Sequence, residues 1–99
     1  MGKDTLNVVA RIKARPGKVN ELLSIVSSLV EPTRKEPGCL QYILLQNNED
    51  PTDLTLVEEW QDSKALEAHF ATKHFKEALK SMPNFVASEP DIRRYHVVG

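Results

Sequence analysis

With a single cysteine, Cys39, this chain has no means of closing an intramolecular disulfide. A cross-linked secreted fold is therefore excluded and a reducing, cytoplasmic setting is expected. No apolar run approaches the ~20 residues that span a bilayer, and no signal-type apolar stretch with a cleavage site opens the sequence, so neither a membrane anchor nor export is expected. Charge of one sign is lacking as well. Thirteen basic residues against fourteen acidic ones, interspersed along the chain, leave a formal net charge of −1. Such a balance makes no field able to hold a phosphate backbone or an anionic lipid surface, so nucleic acid and membrane are not expected partners. Also missing are a phosphate-binding glycine loop, Gly-x-Ser-x-Gly and His-Glu-x-x-His, which removes support for the enzyme classes that carry those motifs.

What is present reads as an ordinary globular chain, 40% apolar and 27% charged. Its 99 residues are enough for one hydrophobic core and too few for two, so residues 1–99 are expected to form one domain. Leu6, Val8, Ala10, Ile12 and Ala14 alternate with more polar neighbours, the period of a half-buried strand. After the turn Arg15-Pro16-Gly17-Lys18, helical spacing of Val19, Leu22, Leu23, Val26, Leu29 and Val30 predicts an amphipathic helix. Pro32 should kink or thin its last turn and Pro37-Gly38 should end it. Cys39 to Gln46 and Leu54 to Trp60, separated by Asn47-Asn48-Glu49-Asp50-Pro51-Thr52-Asp53, read as a hairpin. Asp62 or Ser63 and then Thr72 are helix caps, Pro83 is a stop, and Ile92 to Val98 is a last strand. The order is β-α-β-β-α-β, an α+β fold with two helices over one face of a four-stranded sheet. The opposite face would carry Val9, Ile43, Leu45, Val57, Tyr95 and Val97, and a second copy of the chain is its simplest cover.

The residues able to do chemistry lie where the pattern predicts core. Alternation through Leu54, Leu56, Glu58 and Trp60 sends the Glu58 carboxylate inward, where it must be paired, hydrogen-bonded or protonated. A bulge turning it outward, or a pair with Arg94, would be purely structural answers. His69 sits on the apolar side of the second helix and near neutral pH can take a proton. Alternation and helical spacing bring Glu58, Trp60 and His69 to one pocket. Tyr42, Phe70 and His74 are expected near its wall, either as plain core or as walls for an aromatic ligand. The expected roles are His69 as base, Glu58 orienting the imidazole or stabilising its charged form, and Trp60 stacking on a substrate ring. His69 and His74 lack metal-ligand spacing and no carboxylate lies in helical register with them, so no metal is expected. Cys39 reads as a small buried hydrophobe rather than a nucleophile.

Several segments together are similar to a known family. They are Val9-Ala10-Arg11-Ile12-Lys13-Ala14-Arg15-Pro16-Gly17-Lys18, Glu31-Pro32-Thr33-Arg34-Lys35-Glu36-Pro37-Gly38-Cys39, Glu58-Glu59-Trp60, and the run from Ala65 to Phe75. In order and spacing they resemble the antibiotic biosynthesis monooxygenase family, in particular its quinol monooxygenase branch. The resemblance implies a ferredoxin-like protomer pairing into a dimeric α+β barrel, with a pocket between sheet and helices. It implies oxygenation of a hydroquinone or polyphenol by molecular oxygen with no metal, haem, flavin or other cofactor. Other branches degrade haem or process a phosphorylated signalling sugar. The haem branch places a histidine late in the second helix and an asparagine in the first strand, where this chain has Leu79 and Ala10. The sugar branch shares the two histidines but tends to lack the tryptophan found here as Trp60. Three readings stay open: the oxygenase, a non-enzymatic dimer that binds a small aromatic, and an isomerase or lyase of a small phosphorylated sugar.

Overall fold

A computed structural model of the chain describes residues 4–99. Its elements are β1 (Leu6–Lys13), α1 (Val19–Arg34), β2 (Cys39–Gln46), β3 (Asp53–Trp60), α2 (Ser63–Phe70), α3 (Lys73–Ser81), a 3₁₀ turn (Met82–Asn84) and β4 (Asp91–Tyr95). The sheet is antiparallel throughout in the order β2-β3-β1-β4. This is the ferredoxin-like arrangement.

Period-two patterning sets the strand faces. Val8, Ala10 and Ile12 of β1 and Leu54, Leu56, Glu58 and Trp60 of β3 are all buried toward the helices. Across the sheet Val8 lies opposite Glu58 and Ala10 opposite Leu56, so the two central strands build one floor. Leu22, Val26, Leu29 and Thr33, spaced by four, three and four, form the buried stripe of α1 above it. On the reverse face Ile43, Val57 and Val9 lie in one row, with Leu45 and Tyr95 exposed beside it. A bulge at Leu40, between the Cys39–Trp60 and Gln41–Glu59 pairs, belongs to β2, and β3 runs unbroken.

One boundary differs from the sequence reading, the end of the last strand. The first helix runs to Arg34, thinned at Pro32, and it stops before Pro37-Gly38, as expected. Pro32 lies in its last turn, where a lost amide removes one bond, and the amides of Lys35 and Glu36 close that turn on the carbonyls of Pro32 and Thr33. The last strand ends at Tyr95, because β1 offers partners only from Asn7 to Arg11. No helix among the described residues is long and apolar enough to cross a membrane.

Two Pro-Gly turns place the helices. Lys18 N–H donates to the Arg15 carbonyl at 3.0 Å and Cys39 N–H to the Glu36 carbonyl at 3.2 Å. With proline second and a positive φ at Gly17 (78°) and Gly38 (83°), both are type II turns. Their surroundings differ. A Cβ at Gly17 would meet nothing within 4 Å, whereas one at Gly38 would lie 2.6 Å from the Ala65 Cβ of α2. The second turn is therefore packed directly onto α2.

This pair forms a controlled test. Gly17→Ala should cost about 1–2 kcal/mol for the left-handed backbone alone. Gly38→Ala should cost clearly more, because the same strain is joined by a clash of two carbon atoms. Urea denaturation of both variants measures the difference, and equal losses would contradict the close turn-to-helix approach.

Candidate active site

The Glu36-Pro37-Gly38-Cys39 turn carries a carboxylate to the junction of α2 and α3. On one continuous helix residues five apart point roughly 140° away from each other, so His69 and His74 would diverge. Here the helix breaks between them. Ala71 N–H closes α2 on the Ala68 carbonyl at 3.1 Å, and Thr72 Oγ1 then caps α3 by accepting from Phe75 N–H at 3.3 Å. Thr72 also donates to the His69 carbonyl at 2.7 Å. Both imidazoles consequently reach one atom: Glu36 Oε2 lies 2.8 Å from His69 Nδ1 and 2.6 Å from His74 Nε2.

A carboxylate oxygen can only accept, so each of these ring nitrogens carries its proton toward Glu36. His69 is thereby held as the tautomer whose other nitrogen, Nε2, is a bare acceptor with no bond to protein among the described residues. The ring is 1% exposed, packed against Trp60 and Phe75 at centroid distances of 4.9 and 4.8 Å. Burial lowers its pKa below the ordinary imidazole value, against the pull of the Glu36 carboxylate. The shift biases His69 toward its neutral form.

Glu58 does not orient His69. Its Oε1 accepts the indole N–H of Trp60 at 2.8 Å, two residues along the same strand face. The structural alternatives fail as well, since β3 has no bulge at this point and Arg94 pairs instead with Glu67 at 2.9 Å on the surface. Burial, followed in weight by the Glu36 charge, raises the Glu58 pKa to about 7 in spite of the indole bond. Trp60, fully buried, holds that carboxyl and does not lie open for stacking.

Ala10, Leu56, Tyr42, Glu58, His69 and Phe70 line a small enclosed cavity of about 30 Å³. Phe70, Phe75, Leu79, Met82, Pro90 and Ile92 line both it and an open groove of about 790 Å³, whose other lining residues are Arg15 and residues 83 and 86–89. Among the expected site residues, Glu58, His69, Tyr42 and Phe70 meet at the inner cavity. Trp60 and His74 line neither space. Burial pushes the Tyr42 phenol far above its usual value, so it is wall rather than acid. Cys39, driven up to about 11 by burial and by the Glu36 charge, is no nucleophile. Leu79 and Ala10, the two positions that differ from the haem branch, both face the cavity as apolar wall.

Glu36 is the residue that the sequence pattern missed. The expectation of no metal-ligand set considered only residues in helical register, and this carboxylate comes from another element. A sign of it was the type II turn sequence Pro37-Gly38, which fixes the direction of whatever precedes it.

Glu58 should leave a signature in stability. In the unfolded chain a glutamate releases its proton near 4.5, whereas folded Glu58 holds it to about 7. Across that interval the native state binds more protons, so its contribution to stability is full below about 4.5 and is lost as pH rises through 7. His69 acts oppositely, since its lowered pKa lets acid favour the unfolded chain. Glu58→Gln should therefore reduce the fall in denaturation midpoint between pH 5 and 8, and an unchanged fall would show that Glu58 is not its source.

A family model described as antibiotic biosynthesis monooxygenase matches residues 5–81. Protein sll1783 of Synechocystis is 30% identical over 94 residues, covering 95% of this chain, which spans 64% of that protein's length. "Putative monooxygenase YcnE" of Bacillus subtilis is 32% identical over 85 residues, with 86% of this chain and 90% of that one covered. "Probable quinol monooxygenase YgiN" of Escherichia coli is 31% identical over 88 residues, covering 76% and 85%. A 4-hydroxy-5-phosphonooxypentane-2,3-dione isomerase of Klebsiella pneumoniae is 28% identical over 86 residues, with 87% of each chain covered. The crystal structure of PA3566 from Pseudomonas aeruginosa superimposes with a TM-score of 0.93 at 31% identity, covering 100% of this chain and 99% of that one.

Proposed function

Because the chain belongs to the antibiotic biosynthesis monooxygenase family, we propose that it oxygenates a hydroquinone or polyphenol with molecular oxygen, using the substrate's own electrons and no cofactor. The observation that carries this reading is a buried imidazole, held at Nδ1 by Glu36, on a residue that lines a mostly apolar cavity. The inner cavity is too small for an aromatic ring, while the groove beyond it has the size of a small-molecule site. An apolar polycyclic body lies in that groove against Phe70, Phe75 and Leu79, with one phenolic hydroxyl presented to His69. Nε2 takes the proton. The resulting phenolate is electron-rich enough to reduce dioxygen, one atom of which enters the ring while the other leaves as water. Burial keeps Glu58 able to hold a proton up to about pH 7, which fits it to return one to the reduced oxygen.

The isomerase-type reading needs a cation for a phosphate. Neither Arg nor Lys lines the inner cavity, and Arg15 in the groove is tied to the carbonyls of Val86 and Pro83 at 2.9 and 3.3 Å. The proposed working unit is a homodimer joined through the sheet row of Ile43, Val57 and Val9, burying on the order of 2,000 Å² or more.

Oxygen uptake by metal-free protein, measured with a panel of quinols and polyphenols, tests the reaction. His69→Ala should lower turnover about 10²–10⁴-fold, and Glu36→Gln should act in the same direction by releasing the tautomer. Trp60→Phe should lower the melting temperature while turnover per folded molecule falls less than in His69→Ala. Ligand binding without oxygen uptake would favour the binding-protein reading, and full uptake by His69→Ala would remove this base from the mechanism. Light scattering at micromolar concentration should give twice the chain mass, and a monomer would remove the dimer.

A further inference from the structure

We propose that Glu36, His69 and His74 form a binding site for one divalent transition-metal ion of the zinc class, and that its occupancy reverses the tautomer of His69. The three donor atoms, a carboxylate oxygen and two imidazole nitrogens, lie within 4.8 Å of one another, and no other such group occurs among the described residues. Two imidazoles and one carboxylate are a donor set suited to Zn²⁺ or its neighbours in the series. The side chains of Glu36 and His69 are 9% and 1% exposed, so two donors are already desolvated, while His74 at 28% leaves a path for the ion and a place for water as a fourth ligand. An ion about 2.0–2.1 Å from each donor requires donors roughly 3.3 Å apart. The two hydrogen bonds at 2.8 and 2.6 Å would open by about 0.5 and 0.7 Å as their protons leave, and the two imidazole nitrogens, within 4.8 Å of each other, would settle at the same spacing.

The proton count sets the consequence. Each imidazole directs a ring N–H at Glu36 Oε2. When the ion takes His69 Nδ1, the hydrogen on that nitrogen must leave it, and the neutral ring then carries its hydrogen on Nε2. His69 Nε2 then donates where it had accepted. The metal-free protein presents a base to the cavity and the metal-bound protein presents a hydrogen-bond donor, so the ion inhibits proton abstraction. This effect on turnover rests on the oxygenase reading above, but the binding does not.

Titration of metal-free protein with Zn²⁺ should show one saturable site per chain, and Co²⁺ should give the visible bands of a low-coordinate, nitrogen-ligated ion. Nitrogen NMR shifts of His69 should pass from the Nδ1-protonated to the Nε2-protonated pattern on saturation. His74→Ala, at the most exposed of the three positions and so the substitution least able to disturb folding, and Glu36→Ala should lose the site. Melting curves recorded without metal establish that each variant is folded, and His74→Ala carries the test alone if Glu36→Ala is not. His96→Ala and Cys39→Ser should bind as the parent does. No saturable binding, or binding that survives His74→Ala, overturns the site whatever the turnover shows. Binding with the tautomer shift but without loss of oxygen uptake upholds the site and sinks the base assignment.

Discussion

One carboxylate oxygen serving two imidazoles organises the region where α2 meets α3. Glu36 is nearly buried, and an uncompensated buried charge costs several kcal/mol, so every feature around it works to supply donors. The type II turn aims it, the Gly38 contact with Ala65 sets its distance from α2, and the break between α2 and α3 swings His69 and His74 onto the same atom. Its charge is also felt beyond the cluster, where it raises the pKa of Cys39 and Glu58.

Glu36 and Glu58 have the same side chain and opposite circumstances. Glu36 accepts two charge-assisted bonds from imidazoles and stands as an anion that fixes a neighbour. Glu58 receives only the Trp60 indole in an apolar wall, and desolvation dominates. Environment thus separates an orienting carboxylate from a proton-holding one.

The strands and helix caps were legible because their causes are local. Alternation through Leu54 to Trp60 assigned Glu58 its inward direction, and Asp62 and Thr72 announced the two helix starts by their capping chemistry. The partner of His69 was not legible, because Glu36 is 33 residues away and reaches it only through the folded turn. Pattern reasoning paired His69 with Glu58 since both face inward. It had no means of ranking that pair against the Glu58–Trp60 bond, which needs only a two-residue step along one strand. Pro32 was legible as a last-turn residue because the ring's cost there is local, one lost amide bond.

The inner cavity and the outer groove share a wall of Phe70, Phe75, Leu79, Met82, Pro90 and Ile92, yet the groove's remaining boundary comes from Arg15 and the stretch between the 3₁₀ turn and β4. That stretch contributes no ladder pairs apart from the Ala14–Val86 bridge and supplies none of the imidazole or carboxylate groups. The outer rim of the groove and the imidazole–carboxylate cluster therefore come from separable parts of the chain. On the proposed reading, substitutions at residues 87–89 would redraw the outline that a ligand must match while His69, Glu36 and Glu58 keep their places. The scaffold could then exchange one ligand for another without disordering that cluster.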